Sequence, residues 1–217
     1  MVNSIIYITG SDGSGKTTLI NLIEKKLLEE NKLYDTIWIR SPKIFSKPLM
    51  AYCRIAGLTK YKTIGGIKCG VHEFYRSPFV SWLFPFLQLI DFKIKKSIIF
   101  RKFHRRKNHI LLIDRFAIDT LADLMVDTGR YGLHLTKVGK AFLNTIPRNT
   151  KIFVLKVDEK EIRLRKKDTL YDAHLSKRIE VFDILSKDLG IKVIDNNRPL
   201  ETVRNEIFNK LGLNGRI

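Results

Sequence analysis

An α/β fold, with five parallel strands in an open sheet and helices wound over both faces, is what this 217-residue chain predicts. Three observations lead there: five short apolar, β-branched runs, helical patterns between them, and a glycine-rich turn joining the first run directly to a helix. No Pro/Gly/Ser-rich linker, composition shift, repeat or low-complexity tract divides the sequence, so residues 1–217 read as one domain.

The first run, Ser4-Ile5-Ile6-Tyr7-Ile8-Thr9, has the continuous apolar character of a strand buried on both faces. Gly10, Ser11, Asp12, Gly13, Ser14, Gly15, Lys16, Thr17 and Thr18 follow, and Gly10, four residues, Gly15-Lys16-Thr17 fits G-x-x-x-x-G-K-[ST]. Leu19, Ile23 and Leu27, with Ile20, Leu22 and Leu28 beside them, predict a helix from Lys16 to about Asn31. Small residues let backbone N–H groups close around phosphate oxygens, and the helix N-terminus adds its positive end. Lys16 is placed to reach the terminal phosphates, and the Thr17 hydroxyl to ligate Mg²⁺. The alternative is a glycine turn with no ligand.

The second run is Thr36-Ile37-Trp38-Ile39, ending at Arg40-Ser41-Pro42. Residues from about 41 to 108 read as a helical region. It contains PFVSWLFPFLQLI, Pro78 to Ile90, which is too short for a membrane span and carries Pro85, followed by a strongly basic stretch from Phe92 to Asn108. A buried helix whose C-terminal end turns basic is expected, with an interfacial helix as the alternative. The third run, His109 to Ile113, closes on Asp114-Arg115-Phe116, and the fourth, Ile152 to Leu155, on Val157-Asp158. Between Arg163 and Lys167 four of five residues are cations, within a segment of about 160–175 that reads as a lid or as a solvated helix face. The helix Leu175, Ile179, Phe182, Leu185, Leu189 ends at Gly190. The fifth run, Ile191 to Ile194, leads to Asp195-Asn196-Asn197-Arg198. A last helix, Leu200, Val203, Ile207, Leu211, sits between Pro199 and Gly212.

Ligands of such sheets bind beyond the carboxyl ends of the strands, and the first three strands deliver the cradle lysine, Arg40 and Arg115 there. That suits more than one phosphate group. Asp114 stands where phosphate-loop enzymes place the carboxylate that holds Mg²⁺, although a helix N-cap would use the same residue. Arg40 and Arg115 are candidates for bidentate phosphate contacts, the alternative for each being an ordinary surface arginine.

Lys and Arg number 40 against 22 acidic residues, a net charge of +18. Nucleic acid or an anionic membrane surface is permitted by that charge, but a basic exterior that concentrates phosphorylated substrates is favoured. Cys53 and Cys69 lack metal-ligand spacing, and no secretory signal stands at the N-terminus, so reduced thiols in a cytoplasmic protein are expected.

Taken in order, GSDGSGKTT, the arginine after the second run, the DRF after the third, the R-x-R lid and the IDNNRPLETV approach to the last helix resemble thymidylate kinases. The resemblance is strong at both ends and weak from about Ile44 to Lys107. It implies a P-loop nucleoside monophosphate kinase with ATP and Mg²⁺ as cofactors, dTMP as acceptor and a homodimer as the assembly. It also implies that Asp12 lies near the acceptor and Arg115 on its phosphate, that Arg163 and Arg165 are lid arginines, and that Asn196 to Arg198 lie near adenine. Phe86 and Gln88, with Phe84, are candidates for the base site. The chain departs from the family at DRFAIDTLADLM, where Asp119 and Asp123 replace uncharged polar residues.

Two alternatives stand beside this reading. A deoxynucleoside kinase shares the cradle and the acid-arginine pair, but a hydroxyl acceptor benefits from a carboxylate base near the end of the second strand, where this sequence offers Arg40. A nucleic-acid-binding P-loop ATPase would suit the charge, but such motors want an acid beside the metal aspartate, where Arg115 stands.

Overall fold

The structure, a computed structural model, describes residues 4–64, 67–166, 169–170 and 172–213. Five strands, β1 (Ser4–Gly10), β2 (Tyr34–Trp38), β5 (Ile110–Asp114), β6 (Thr150–Lys156) and β7 (Val193–Asp195), form one parallel sheet in the order β2-β5-β1-β6-β7. The glycine-rich strand therefore lies at the centre, with Ile6 opposite Leu112 on one side and Tyr7 opposite Ile152 on the other.

Alternation along β1 feeds two cores. Ile6 and Ile8 face α1 (Lys16–Glu29) and α8 (Leu200–Leu211), packing with Leu19, Ile23, Leu27, Val203 and Ile207. Ile5 and Tyr7 point to the opposite face, where α3 (Pro78–His104), α4 (Ala117–Thr128), α5 (Lys137–Leu143) and α7 (Leu175–Asp188) close a larger core containing Phe92, Phe116, Leu121, Phe142 and Phe182. Burial on both faces is why the central strands β1 and β5 read as continuous apolar runs.

The helix predicted from Lys16 ends at Glu29, two residues short of expectation, and Asn31 beyond it takes a left-handed turn (φ 50°). The apolar and basic segments from Pro78 form one 27-residue helix, α3, with Pro85 inside it. Among the described residues no helix is long and apolar enough to cross a membrane.

The region 41–108 is not helical throughout. Between α2 (Lys47–Ile55) and α3, strands β3 (Thr59–Ile64) and β4 (Ile67–His72) pair antiparallel, with Ile64 opposite Ile67. Two β-branched runs on either side of Gly65-Gly66 are a hairpin signal that outweighs the helical expectation. Cys53 is a buried free thiol on α2. The side chain of Cys69, and Lys167 and Asp168 of the lid sequence, lie outside the described residues.

Candidate active site

The loop after β1 is shaped by what it touches. Gly10 has φ +141°, and a Cβ there would lie 2.4 Å from the Leu155 carbonyl oxygen of the neighbouring strand. Gly15, with φ +88°, stands directly before α1, where a Cβ would come within 2.6 Å of Asn196 Nδ2. That amide donates to the Ser14 carbonyl at 2.7 Å, so the loop after β7 braces the loop after β1. Lys16 is buried, and its ammonium donates to the carbonyls of Gly10 (2.7 Å) and Ser11 (2.6 Å) and to Ser14 Oγ (3.4 Å). Burial, with the charge of Arg115 adding to it, lowers the Lys16 pKa to about 8 against the opposing pull of Asp119, Asp12 and Asp114.

Thr17 Oγ1 donates to Asp114 Oδ2 at 3.5 Å, while Asp114 Oδ1 is buried with no hydrogen-bond partner among the described residues. A hydroxyl beside a half-satisfied carboxylate suits Mg²⁺, which keeps several waters and takes few protein ligands. Among the described residues no group of three or more His, Cys, Asp or Glu is placed to hold a metal ion.

Beside the loop lies a chain of charges. Arg115 sits in the left-handed region (φ 68°), which turns its guanidinium back to pair with Asp12. Arg40, at the end of β2, donates to Asp12 through Nη1 (3.2 Å) and forks onto Asp123 of α4 through Nε (2.7 Å) and Nη2 (2.8 Å). Burial opposes ionisation of Asp12, yet Arg40, Arg115 and Lys16 overcome it and hold the carboxyl well below the usual carboxylate range. Arg178 of α7 completes the group, 3.6 Å from Asp123 and paired with Asp172.

These residues stand between two cavities. One, of about 500 Å³, is lined by the glycine loop, Lys16, Thr17, Arg115, Arg165, Asn196 and Arg198. The other, of about 740 Å³, has apolar walls from Ile39, Phe84 and Leu124 and charged ones from Arg40, Lys43, Asp123, Asp127 and Arg178. A smaller hollow of about 190 Å³ runs from Asp12 to His72, Asp127 and Arg178, linking the two.

The family profile of the KAP family P-loop domain matches residues 2–216. The chain belongs to the KAP P-loop family. No curated protein matches it. As a KAP-family P-loop domain it is a nucleotide-binding NTPase, and the match extends to the P-loop domain without reaching thymidylate specificity.

Within this KAP-family domain the nucleotide cavity gathers most of the residues singled out from the sequence. Asp12, Gly13, Gly15, Lys16, Thr17, Thr18, Arg115, Arg165, Asn196 and Arg198 all line it, with Ser11 and Ser14 buried in the loop. Arg165 reaches it by donating to the Asn196 carbonyl (3.0 Å) and to Glu161 (2.9 Å), and Arg198 is steadied by the Asp195 carbonyl and Glu206. Arg163 of α6 (Glu159–Arg165), expected beside Arg165, is turned elsewhere: it pairs with Glu159 and donates to the carbonyls of Thr169 and Leu170, tying the residues after α6 to the helix.

In the acceptor region Arg40 lines the larger cavity, but Phe86 and Gln88 do not. Phe86 is half exposed, and Gln88 is buried, donating to the Pro42 carbonyl (3.0 Å) and Ser46 Oγ (2.8 Å). Phe84, offered beside them, does form part of the wall. Asp119 serves the fold: the Tyr7 hydroxyl donates to it at 2.7 Å and the Phe116 amide at 3.0 Å, capping α4.

Sequence reasoning missed Asp91, Asp127, Arg178 and His72. Asp91 of α3 is fully buried and accepts from the amides of Ile44, Phe45 and Ser46 and from Ser46 Oγ, at 2.7 to 3.0 Å, which fixes the segment that leads Arg40 into α2. The four-residue spacing of Asp119, Asp123 and Asp127 was the available signal for a carboxylate face on α4.

Proposed function

We propose that this domain transfers the γ-phosphoryl group of ATP to a nucleoside monophosphate, dTMP being the acceptor that the resemblance implies. The observation that carries this reading is the second cavity, joined to the nucleotide cavity through Asp12, Arg40 and Arg115. A simple hydrolase needs only one of the two.

In this reading Lys16 and the loop amides hold the ATP phosphates. Thr17 and Asp114 would hold Mg²⁺, which would supply neutralisation of phosphate charge. Arg115 and Arg165 supply cations beside the transferring group, and Asp12 keeps Arg115 and Arg40 in register with each other. An oxygen of the acceptor phosphate attacks the γ-phosphorus. The bond to the β–γ bridging oxygen breaks, ADP leaves, and the acceptor becomes a diphosphate.

Folding adds one observation in favour of a hydroxyl acceptor: it brings Asp12 and Asp123 to Arg40, giving the end of β2 the carboxylates that sequence order did not show. The electrostatics favour the phosphate acceptor nonetheless. A carboxylate held far below its usual pKa, as Asp12 is, is a poor proton acceptor, whereas a phosphate arrives already ionised. The test is ATP consumption with Mg²⁺ against dTMP, other nucleoside monophosphates, thymidine and no acceptor, with products identified by mass. ADP and a nucleoside diphosphate are expected in equal amounts. Equal ATP loss without acceptor would reduce the activity to hydrolysis, and phosphorylation of thymidine alone would favour the hydroxyl acceptor.

A further inference from the structure

Helix α3 turns one side to the larger cavity, where Phe84 and Lys95 form part of the wall, and another to solvent. On the solvent side stand Phe79, Trp82 and Phe86, respectively 60 %, 64 % and 48 % exposed. At about 100° per residue these three fall within about 60° of one another, and Phe86 is nearly half a turn from Phe84. Half-buried Ile90, then exposed Lys93, Ser97 and Arg101, continue the same face. Phe79 to Arg101 is thus one solvent-facing strip roughly 33 Å long, aromatic in its first half and basic in its second.

Single exposed apolar side chains are ordinary, but three large ones side by side on a helix mark a contact surface. The fold does not use them, because α3 reaches the core through Val80, Phe84, Phe92, Phe100 and Phe103. Charge decides what covers them. Asp91, the one acid in the sequence of α3, is buried on another side and held by the amides of Ile44, Phe45 and Ser46. Beyond Arg101 come the exposed cations Lys102 and Arg105. Lys93, Lys96 and Ser97 also line a groove of about 370 Å³ with Asn144 and Thr145 at the end of α5, a set of cations and hydrogen-bonding groups suited to a phosphodiester.

We propose that this face of α3 docks the domain on an anionic lipid bilayer, with Phe79, Trp82 and Phe86 seated at the headgroup boundary and Lys93 and Arg101 on lipid phosphates. Cations alone suit any polyanion, whereas an adjoining apolar half suits one whose charged surface covers hydrocarbon. A nucleic acid would match the basic half and leave the aromatic half in water. A second copy, carrying the same net +18, would bring like charges together. The helix lies on such a surface without crossing it, since its remaining sides are committed to the core and the cavity. Phe84 and Lys95 face away from the strip, so docking leaves the larger cavity uncovered. The proposal is independent of the reaction catalysed at the nucleotide cavity.

The test is co-sedimentation of the full chain with vesicles of phosphatidylcholine alone and of equal parts phosphatidylcholine and phosphatidylserine. The chain should pellet with the anionic vesicles and be released as salt rises. Phe79→Ser combined with Trp82→Ser, and separately Lys93→Gln combined with Arg101→Gln, should each weaken that binding by about tenfold or more, with circular dichroism reporting an intact fold. Tryptophan emission should shift to the blue on binding, and Trp82→Phe, which keeps an apolar ring, should still bind while losing that shift. Failure to pellet with anionic vesicles, or binding that both double substitutions leave unchanged, overturns the proposal. So does a dimer in solution that dissociates on the aromatic substitutions, or an oligonucleotide that binds this face where vesicles do not.

Discussion

Lys16 carries the most consequential charge of the site while almost sealed from water, which lowers its pKa to about 8. Below that pH it is charged before a nucleotide arrives. Above it, a proton must be taken up on binding, so ATP affinity should fall by up to about tenfold per pH unit as pH rises from 8 toward 9.5. Calorimetry across that range checks this, and Lys16→Arg, whose guanidinium does not titrate there, should be flat. Lys16→Ala should lower turnover by about two orders of magnitude or more while circular dichroism reports an intact fold. At this scale the sequence was legible wherever a residue acts through its own neighbours: Gly10, Gly15, Lys16 and Thr17 are recognisable by spacing alone. Asp91 and Asp127 were not, because what gives each its role is a partner or a cavity brought in from distant sequence. Asp119 and Asp123 were noticed as unusual, and only the structure separates them, one bonding Tyr7 inside the core and the other holding Arg40 at the cavity.

Elements differ in how much of the site they set. The loop after β1 depends on the loop after β7, and Gly15→Ala drives a methyl group into Asn196 Nδ2 at a left-handed position. It should cost about 1–3 kcal/mol of stability and weaken ATP, measured by urea denaturation and nucleotide titration. Helix α3 governs the other cavity through Asp91, whose replacement by alanine strands four donors from Ile44, Phe45 and Ser46. Asp91→Ala should therefore lower stability by about 2–4 kcal/mol and raise the acceptor KM more than that of ATP. Helices α1, α7 and α8 were readable because each carries an apolar stripe and a recognisable end. The β3–β4 pairing was not read, since a short alternating run looks like coil until its partner is known, although a Gly-Gly pair between two such runs is a hairpin signal in the sequence.

For the molecule as a whole, the excess of 18 positive charges and the cations at both cavities should draw phosphorylated ligands inward. The association rate of a nucleoside monophosphate should drop several-fold as ionic strength rises from about 0.01 to 0.15 M, a range over which the Debye length shrinks from about 30 to 8 Å. Stopped-flow fluorescence with a labelled acceptor measures it directly. The alternating pattern announced a parallel sheet, but not the order β2-β5-β1-β6-β7, which depends on contacts no local pattern records. That order has a temporal consequence. Asn196 lies 182 residues after the Ser14 carbonyl it holds, so during synthesis the phosphate loop emerges long before the residue that braces it. Closing so long a span is slow, and a nascent chain halted before β7 carries every P-loop residue yet lacks the brace that sets their geometry.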